Sequence, residues 1–154
     1  MYTLKNVPHF RATLLDSSLP LFERYRAMFA LRNTVQQGGK EAEAPAVHAL
    51  ADGLQDGSAL FRHEICFVFG ELCHPASIPA MSKVLDDSAE HEMVRHEAAE
   101  ALGGVLEEAE GEDESAQATV IATLKRWAED LAAPRVVRES CIVALDEIAC
   151  TFLC

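Results

Sequence analysis

The chain has 154 residues, with 25 Asp and Glu against 13 Lys and Arg, a formal net charge of −12. That length allows one domain, and that charge excludes the basic patches that nucleic acid or an anionic membrane surface requires while admitting a basic partner. Hydrophobic residues at 49% supply a core, and an aromatic share of only 6% beside plentiful alanine favours close-packed helices over a β-sandwich.

In chain order the pattern predicts a lead-in helix near 5–16, then helices at 20–36, 44–54, 58–73, 75–86, 90–105, 115–130 and 134–150. Pro20, Pro45, Pro75 and Pro134 stand at or near predicted helix starts, where a missing N–H is harmless. Gln36-Gln37-Gly38-Gly39-Lys40 reads as a loop. Residues 107–114 carry six acids in eight and read as a solvated insert. The opening segment lacks the apolar run of a secretory signal, and no stretch of about 18 uninterrupted apolar residues exists. Cys66, Cys73, Cys141, Cys150 and Cys154 make an odd count without CxxC spacing. Reduced thiols in a cytoplasmic protein are the expectation, not a disulfide framework or a zinc knuckle.

A repeat runs through these helices. Glu23-Arg24-Tyr25-Arg26-Ala27, Phe61-Arg62-His63-Glu64-Ile65, Val94-Arg95-His96-Glu97-Ala98 and Val137-Arg138-Glu139-Ser140-Cys141 place an arginine at one point of a similar helical pattern. Arg24, Arg62, Arg95 and Arg138 are 38, 33 and 43 residues apart, and periods in this range signal stacked helix pairs. Within the third unit Val94, Ala98, Ala101, Leu102 and Val105 share one face, as do Phe61, Ile65, Val68, Phe69 and Leu72, and Val137, Cys141, Ala144, Leu145 and Ile148. The expected fold is an all-α solenoid of four HEAT-like helix pairs in a single domain spanning 1–154, with units of roughly 1–54, 55–88, 89–131 and 132–154.

The two middle units follow their arginine with His-Glu. At about 100° per residue, His96 falls near 200° from Val94, away from the apolar stripe, and His63 falls likewise relative to Phe61. Two imidazoles on neighbouring helices, with axes about 8–10 Å apart, can then share one metal. Glu64 and Glu97 lie about 100° from their own histidines, so each is expected to reach a second ion, a cation or a partner. Gly70 and Gly103, seven residues after each histidine, are expected to leave room for something to dock. His9, His48, His74 and His91 fit no register and read as surface residues.

With these residues in view the chain resembles the deoxyhypusine hydroxylases, HEAT-repeat di-iron enzymes. The resemblance rests on residues 21–33, from Leu-Phe-Glu-Arg-Tyr-Arg-Ala-Met to Arg32-Asn33, and on Gly57-Ser58-Ala59-Leu60-Phe61-Arg62-His63-Glu64. It extends through Met93-Val94-Arg95-His96-Glu97 with residues 99–103, and through 135–141. It implies the C-terminal half of a two-half enzyme that hydroxylates the deoxyhypusine lysine of a eukaryotic translation factor with O₂. By the same resemblance His63 and His96 ligate one iron, Glu64 is a carboxylate ligand reaching the other half's iron and also a substrate-binding residue, and Glu97 meets the substrate amine as a catalytic and substrate-binding residue. The complementary ligands then come from the N-terminal half or from a second copy. A non-catalytic HEAT interaction module is the alternative, and a bilin-lyase type of solenoid a more remote one.

Overall fold

A computed structural model describes residues 2–108 and 114–153. Eight α-helices follow one another: α1 (Val7–Leu15), α2 (Leu21–Gln37), α3 (Lys40–Asp52), α4 (Ala59–Leu72), α5 (Ile78–Asp86), α6 (Glu92–Glu108), α7 (Glu114–Glu129) and α8 (Arg135–Leu153). Three short 3₁₀ turns, at Leu4–Asn6, Gly53–Gln55 and Pro75–Ser77, complete them, and no strand occurs among the described residues. The arrangement is the expected all-α solenoid. Helices α2, α4, α6 and α8 are the first helices of successive units and stack in a row, with α6 packed against both α4 and α8. Helix α5 packs chiefly under α6 and α7 under α8, each supporting the next unit, while α3 packs chiefly on α2 and α1 within its own.

Each first helix is entered through the same local device. Asp16, Asp56, Asp87 and Asp130 each accept a backbone N–H two residues on, from Ser18, Ser58, Ala89 and Ala132, at 2.8 to 2.9 Å. Such Asx turns reverse the chain and use the short carboxylate as a substitute for a backbone acceptor. Ser58 then caps α4 by accepting the Phe61 N–H at 3.3 Å.

Two expectations change here. Helix α3 begins at Lys40, not near 44, so Pro45 lies inside it and the predicted loop shrinks to Gly38-Gly39. Gly39 makes that abrupt turn with φ of 85°, a backbone shape that favours glycine. The acidic insert is trimmed from both sides by α6 and α7, and residues 109–113 lie outside the described residues.

The predicted apolar faces form the core. Phe61, Ile65, Val68, Phe69, Val94, Ala98, Ala101, Leu102, Val105, Val137, Cys141, Ala144 and Ile148 are all buried, while Leu72 and Leu145 are half-buried against them. The glycines serve this packing and leave no docking space. A Cβ at Gly103 would lie 2.9 Å from the Ala144 Cβ and 3.1 Å from its Cα, so Gly103 lets α6 and α8 meet backbone to backbone. At Gly70 the same atom would lie 3.6 Å from Ala101, an ordinary contact.

The repeated arginines turn out to be the ties between units. Arg24 and Arg95, both buried, donate from Nε to the carbonyl ten residues back, on Leu14 (2.9 Å) and Leu85 (3.0 Å). Their guanidinium carbons lie 4.3 Å over the Phe61 ring and 4.2 Å over the Trp127 ring, aromatic faces from the following helices. Arg24 also reaches Asp56 at 2.5 Å, and Arg62 grips Glu90 with two bonds of 2.6 Å, so these two arginines hold the loops that open the next units. Burial alone pushes the Glu90 carboxyl up, but the Arg62 hydrogen bond, the His91 N–H and the Arg62 charge outweigh it and hold it below the usual carboxylate range.

Gly103→Ala is expected to destabilise the fold by about 1–3 kcal/mol through overpacking against Ala144. Gly70→Ala should be neutral, or stabilising by up to about 1 kcal/mol, because helix entropy improves without a clash. Urea unfolding of the two variants checks the contrast. Glu90 contributes stability above the unfolded carboxylate pKa of about 4.3, and that contribution disappears as pH falls through the lower folded value. Glu90→Gln should therefore lose about 1–3 kcal/mol at neutral pH, and the difference from the unaltered chain should shrink as the pH is lowered below the ordinary carboxylate range, by urea titration at neutral and acid pH.

Candidate metal centre

His63 is the fifth residue of α4 and His96 the fifth of α6, so both imidazoles stand about one turn inside helix N-termini that lie side by side. Both are half-buried, as their position off the apolar stripe requires. The arginine ties fix how neighbouring rows meet. The residue one after the arginine on one helix faces the residue two after the arginine on the next. Tyr25 thereby meets the charge of Glu64, His63 meets Glu97, and His96 meets Ser140. Burial chiefly, and then the Glu64 charge, pushes the Tyr25 hydroxyl above its ordinary value.

The centre of this row is the Glu97 carboxylate. Its Oε2 lies 3.1 Å from His63 Nε2 and 3.8 Å from His96 Nε2, so one oxygen spans imidazoles from two helices. This differs from the expectation that a glutamate next to a histidine points elsewhere. The 100° offset describes where Cβ leaves the helix, and three further bonds let the Glu97 side chain bend back across the gap toward α4. Glu64 lies 3.7 Å from His63 Nδ1, beyond hydrogen-bonding range, and at the edge of the group.

Two site residues carry no mark in a single-helix reading. Glu100 places Oε1 3.3 Å from His96 Nδ1, and Ser140 Oγ lies 2.6 Å from the same nitrogen. Glu100 is four residues after His96 and so shares its face. Ser140 occupies the repeat position that holds Glu64 and Glu97 in the units before it, and that register is the signal that could have found it. His9, His48 and His91 are exposed, as expected, with His91 Nδ1 accepting the Met93 N–H at the start of α6. His74 is not a plain surface residue. It is half-buried, accepts the Ala76 N–H at 3.1 Å and lies 3.5 Å from Glu43.

The electrostatics suit a cation. Burial raises the Glu97 carboxyl above its ordinary range; the Glu100 and Glu64 charges push the same way, while His63 and His96 oppose them. His63 Nδ1 is buried without a hydrogen-bond partner. His96, Glu97 and Glu100 bring ligand atoms within 4.8 Å of one another. Glu100, however, approaches Nδ1 of His96, whereas Glu97 and His63 gather at its Nε2. A single ion cannot use both ring nitrogens, so an ion at Nε2 of His96 would meet the Glu97 carboxylate, with His63 Nε2 on the far side of that carboxylate, 3.1 Å from Oε2. Two imidazoles and a carboxylate suit a first-row transition metal such as iron and leave positions open. Cys66 lies on the buried face of α4, and burial pushes its thiol well above the ordinary range.

A family model for HEAT repeats matches residues 47–146. A deoxyhypusine hydroxylase of Mycosarcoma maydis is 68% identical over 151 residues, covering 96% of this chain and 42% of the relative. That of Cryptococcus neoformans is 54% identical, covering 92% of this chain and 40% of the relative. The solved structure of human deoxyhypusine hydroxylase in complex with glycerol superposes with a TM-score of 0.76 at 48% identity, covering 93% of this chain and 43% of that one. The chain thus spans about two-fifths of the length of the relatives it matches. It belongs to the HEAT-repeat family, and within that family its matched relatives are the deoxyhypusine hydroxylases.

Proposed function

We propose that the chain supplies one half of a di-iron centre for the O₂-dependent hydroxylation of a deoxyhypusine lysine on a eukaryotic translation factor, as the C-terminal half of a deoxyhypusine monooxygenase. The observation that carries this reading is the Glu97 carboxylate lying between two imidazole nitrogens of neighbouring units. His63 and His96 would hold one iron through Nε2, with Glu97 as the carboxylate ligand in place of Glu64. Iron with open coordination positions supplies O₂ activation when bound. Three ligands serve one ion, so those for a second ion come from the remainder of a longer protein or from a second copy of the chain.

The chain's own residues also suit the substrate. A cavity of about 340 Å³ opens beside His63 and is lined by Ala59, Leu60, His91 and Met93. Its apolar wall accommodates an aliphatic stem, while Glu64 and Glu100 at the edge of the site attract the ammonium of such a side chain. The net charge of −12 favours encounter with a basic loop around it. Reaction in the cytoplasm accords with the thiols of Cys66, Cys141 and Cys150 outside any disulfide.

Elemental analysis with a visible spectrum tests the reading, on the 154-residue chain alone and mixed with the complementary N-terminal half. Iron and a chromophore are expected in the mixture, together with O₂-dependent hydroxylation of a deoxyhypusine-bearing substrate. His63→Ala and His96→Ala should abolish the iron with helicity unchanged. A mixture without iron, or with iron that survives both substitutions, overturns the assignment and favours a non-catalytic interaction module. Glu97→Gln carries a second expectation, because it removes a charge that burial disfavours. It should raise the thermal midpoint of the metal-free chain by about 2–4 °C, on the order of 1 kcal/mol at this size, while weakening iron retention. Calorimetry of the metal-free proteins checks the sign.

A further inference from the structure

We infer that Ser140 is a positioning residue for the metal centre: its hydroxyl fixes the His96 imidazole as the Nδ1–H tautomer and leaves the Nε2 lone pair directed at the ion. The inference rests on the metal-centre reading above and extends it to α8, a helix that contributes no ligand.

Ser140 Oγ lies 2.9 Å from the Val136 carbonyl oxygen and 2.6 Å from His96 Nδ1. A carbonyl oxygen can only accept, and a hydroxyl has one proton, so the arrangement that satisfies both contacts gives that proton to Val136 and has the ring donate to Ser140 from Nδ1. Glu100 Oε1, 3.3 Å from the same nitrogen, is a second acceptor and demands the same tautomer. A neutral imidazole protonated at Nδ1 carries its lone pair on Nε2, the atom that lies 3.8 Å from Glu97 Oε2.

Burial strengthens the hold. Ser140 is only 5% exposed, so water competes poorly for its hydroxyl. The contrast with the neighbouring histidine is informative, since His63 Nδ1 is buried and has no hydrogen-bond partner. Of the two imidazoles, only His96 is clamped from behind. The repeat position matters too. Glutamate stands there in the two preceding units, and serine supplies an acceptor for Nδ1 without adding a further carboxylate beside Glu97 and Glu100.

Long-range ¹H–¹⁵N NMR of the imidazoles tests this on the metal-free 154-residue chain, at a pH well above the ordinary histidine range. The unaltered chain should show His96 protonated at Nδ1. Ser140→Ala should shift the ring toward a mixture of tautomers, and Ser140→Thr, which keeps the hydroxyl, should restore it. Titration with Fe(II) under anaerobic conditions should show affinity falling about 10–100-fold in Ser140→Ala and recovering in Ser140→Thr. Circular dichroism confirms that each variant is folded. A proton found on Nε2 of His96 in the unaltered chain overturns the inference, as does a Ser140→Ala spectrum identical to it. An unaltered chain with the expected tautomer but no affinity for Fe(II) overturns the metal reading instead, so the two failures are distinguishable.

Discussion

The repeated arginine is what lets two separate helices build one site. Each lies at the start of a first helix, near the loops at both of its borders. Arg24 and Arg95 donate back to a carbonyl at the end of the preceding helix, and Arg24 and Arg62 reach forward to the acid that opens the next unit. An exposed ion pair would add little, because solvent screens it. These groups are instead partly or wholly buried: Arg24 and Arg95 stack on Phe61 and Trp127, and Arg24 and Arg62 are bonded through more than one nitrogen. A slide of one residue along the helix axis would break each tie. The register that brings His63 to Glu97 and His96 to Ser140 is therefore set by residues that touch neither imidazole's ligand face.

That register holds the centre in a state that stability alone would not select. The Glu97 carboxyl is pushed above its ordinary range by burial, with Glu64 and Glu100 nearby adding negative charge. His63 Nδ1 is left without a partner in a buried setting. A bare cluster of this kind is tolerated because the surrounding packing is tight: Gly103 admits Ala144 to near backbone contact, and apolar residues of α4, α6 and α8 fill the space below. A bound cation would neutralise the excess negative charge that burial penalises. On the proposed metal reading, the charge that burial penalises in the centre is the charge that would hold the ion.

Much of the architecture can be read from residue spacing, because helix period and repeat period are both local. The arginine spacing gives the units, and the apolar stripes give the buried faces almost residue by residue. What single-helix angles miss lies between helices. Gly70 and Gly103 fall on a line with the histidines, yet only the neighbouring Ala144 shows that Gly103 serves close packing, while Ala101 leaves ordinary contact distance at Gly70. Glu97 leaves its helix far from His96 in angle, yet the side chain returns because α4 offers His63 across the gap. Ser140 carries no metal-binding signature at all. It becomes visible only when the four arginines are superposed and the residue two places later is compared across units. Pro45 shows a different limit: a proline consistent with a helix start is also tolerated in the second turn of one that begins earlier.

The same register restricts where the rest of a dinuclear site can lie. Along the row of first helices the position after the arginine reads Tyr25, His63, His96 and Glu139, and Glu139 is already engaged with Arg135 at 2.6 Å. Imidazoles therefore occupy two consecutive rungs, flanked by a tyrosine on one side and a paired glutamate on the other. Further units stacked at either end would place their side chains at least two helix spacings from the nearer imidazole, roughly 16–20 Å at about 8–10 Å per spacing. Two ions that share bridging ligands sit only about 3.5–4 Å apart. On the proposed di-iron reading, units added along the solenoid axis would therefore lie too far away, and ligands for a second ion are expected across the open edge of the row, beside half-buried Glu64, exposed Glu100 and the cavity near His63, from a surface that faces this one.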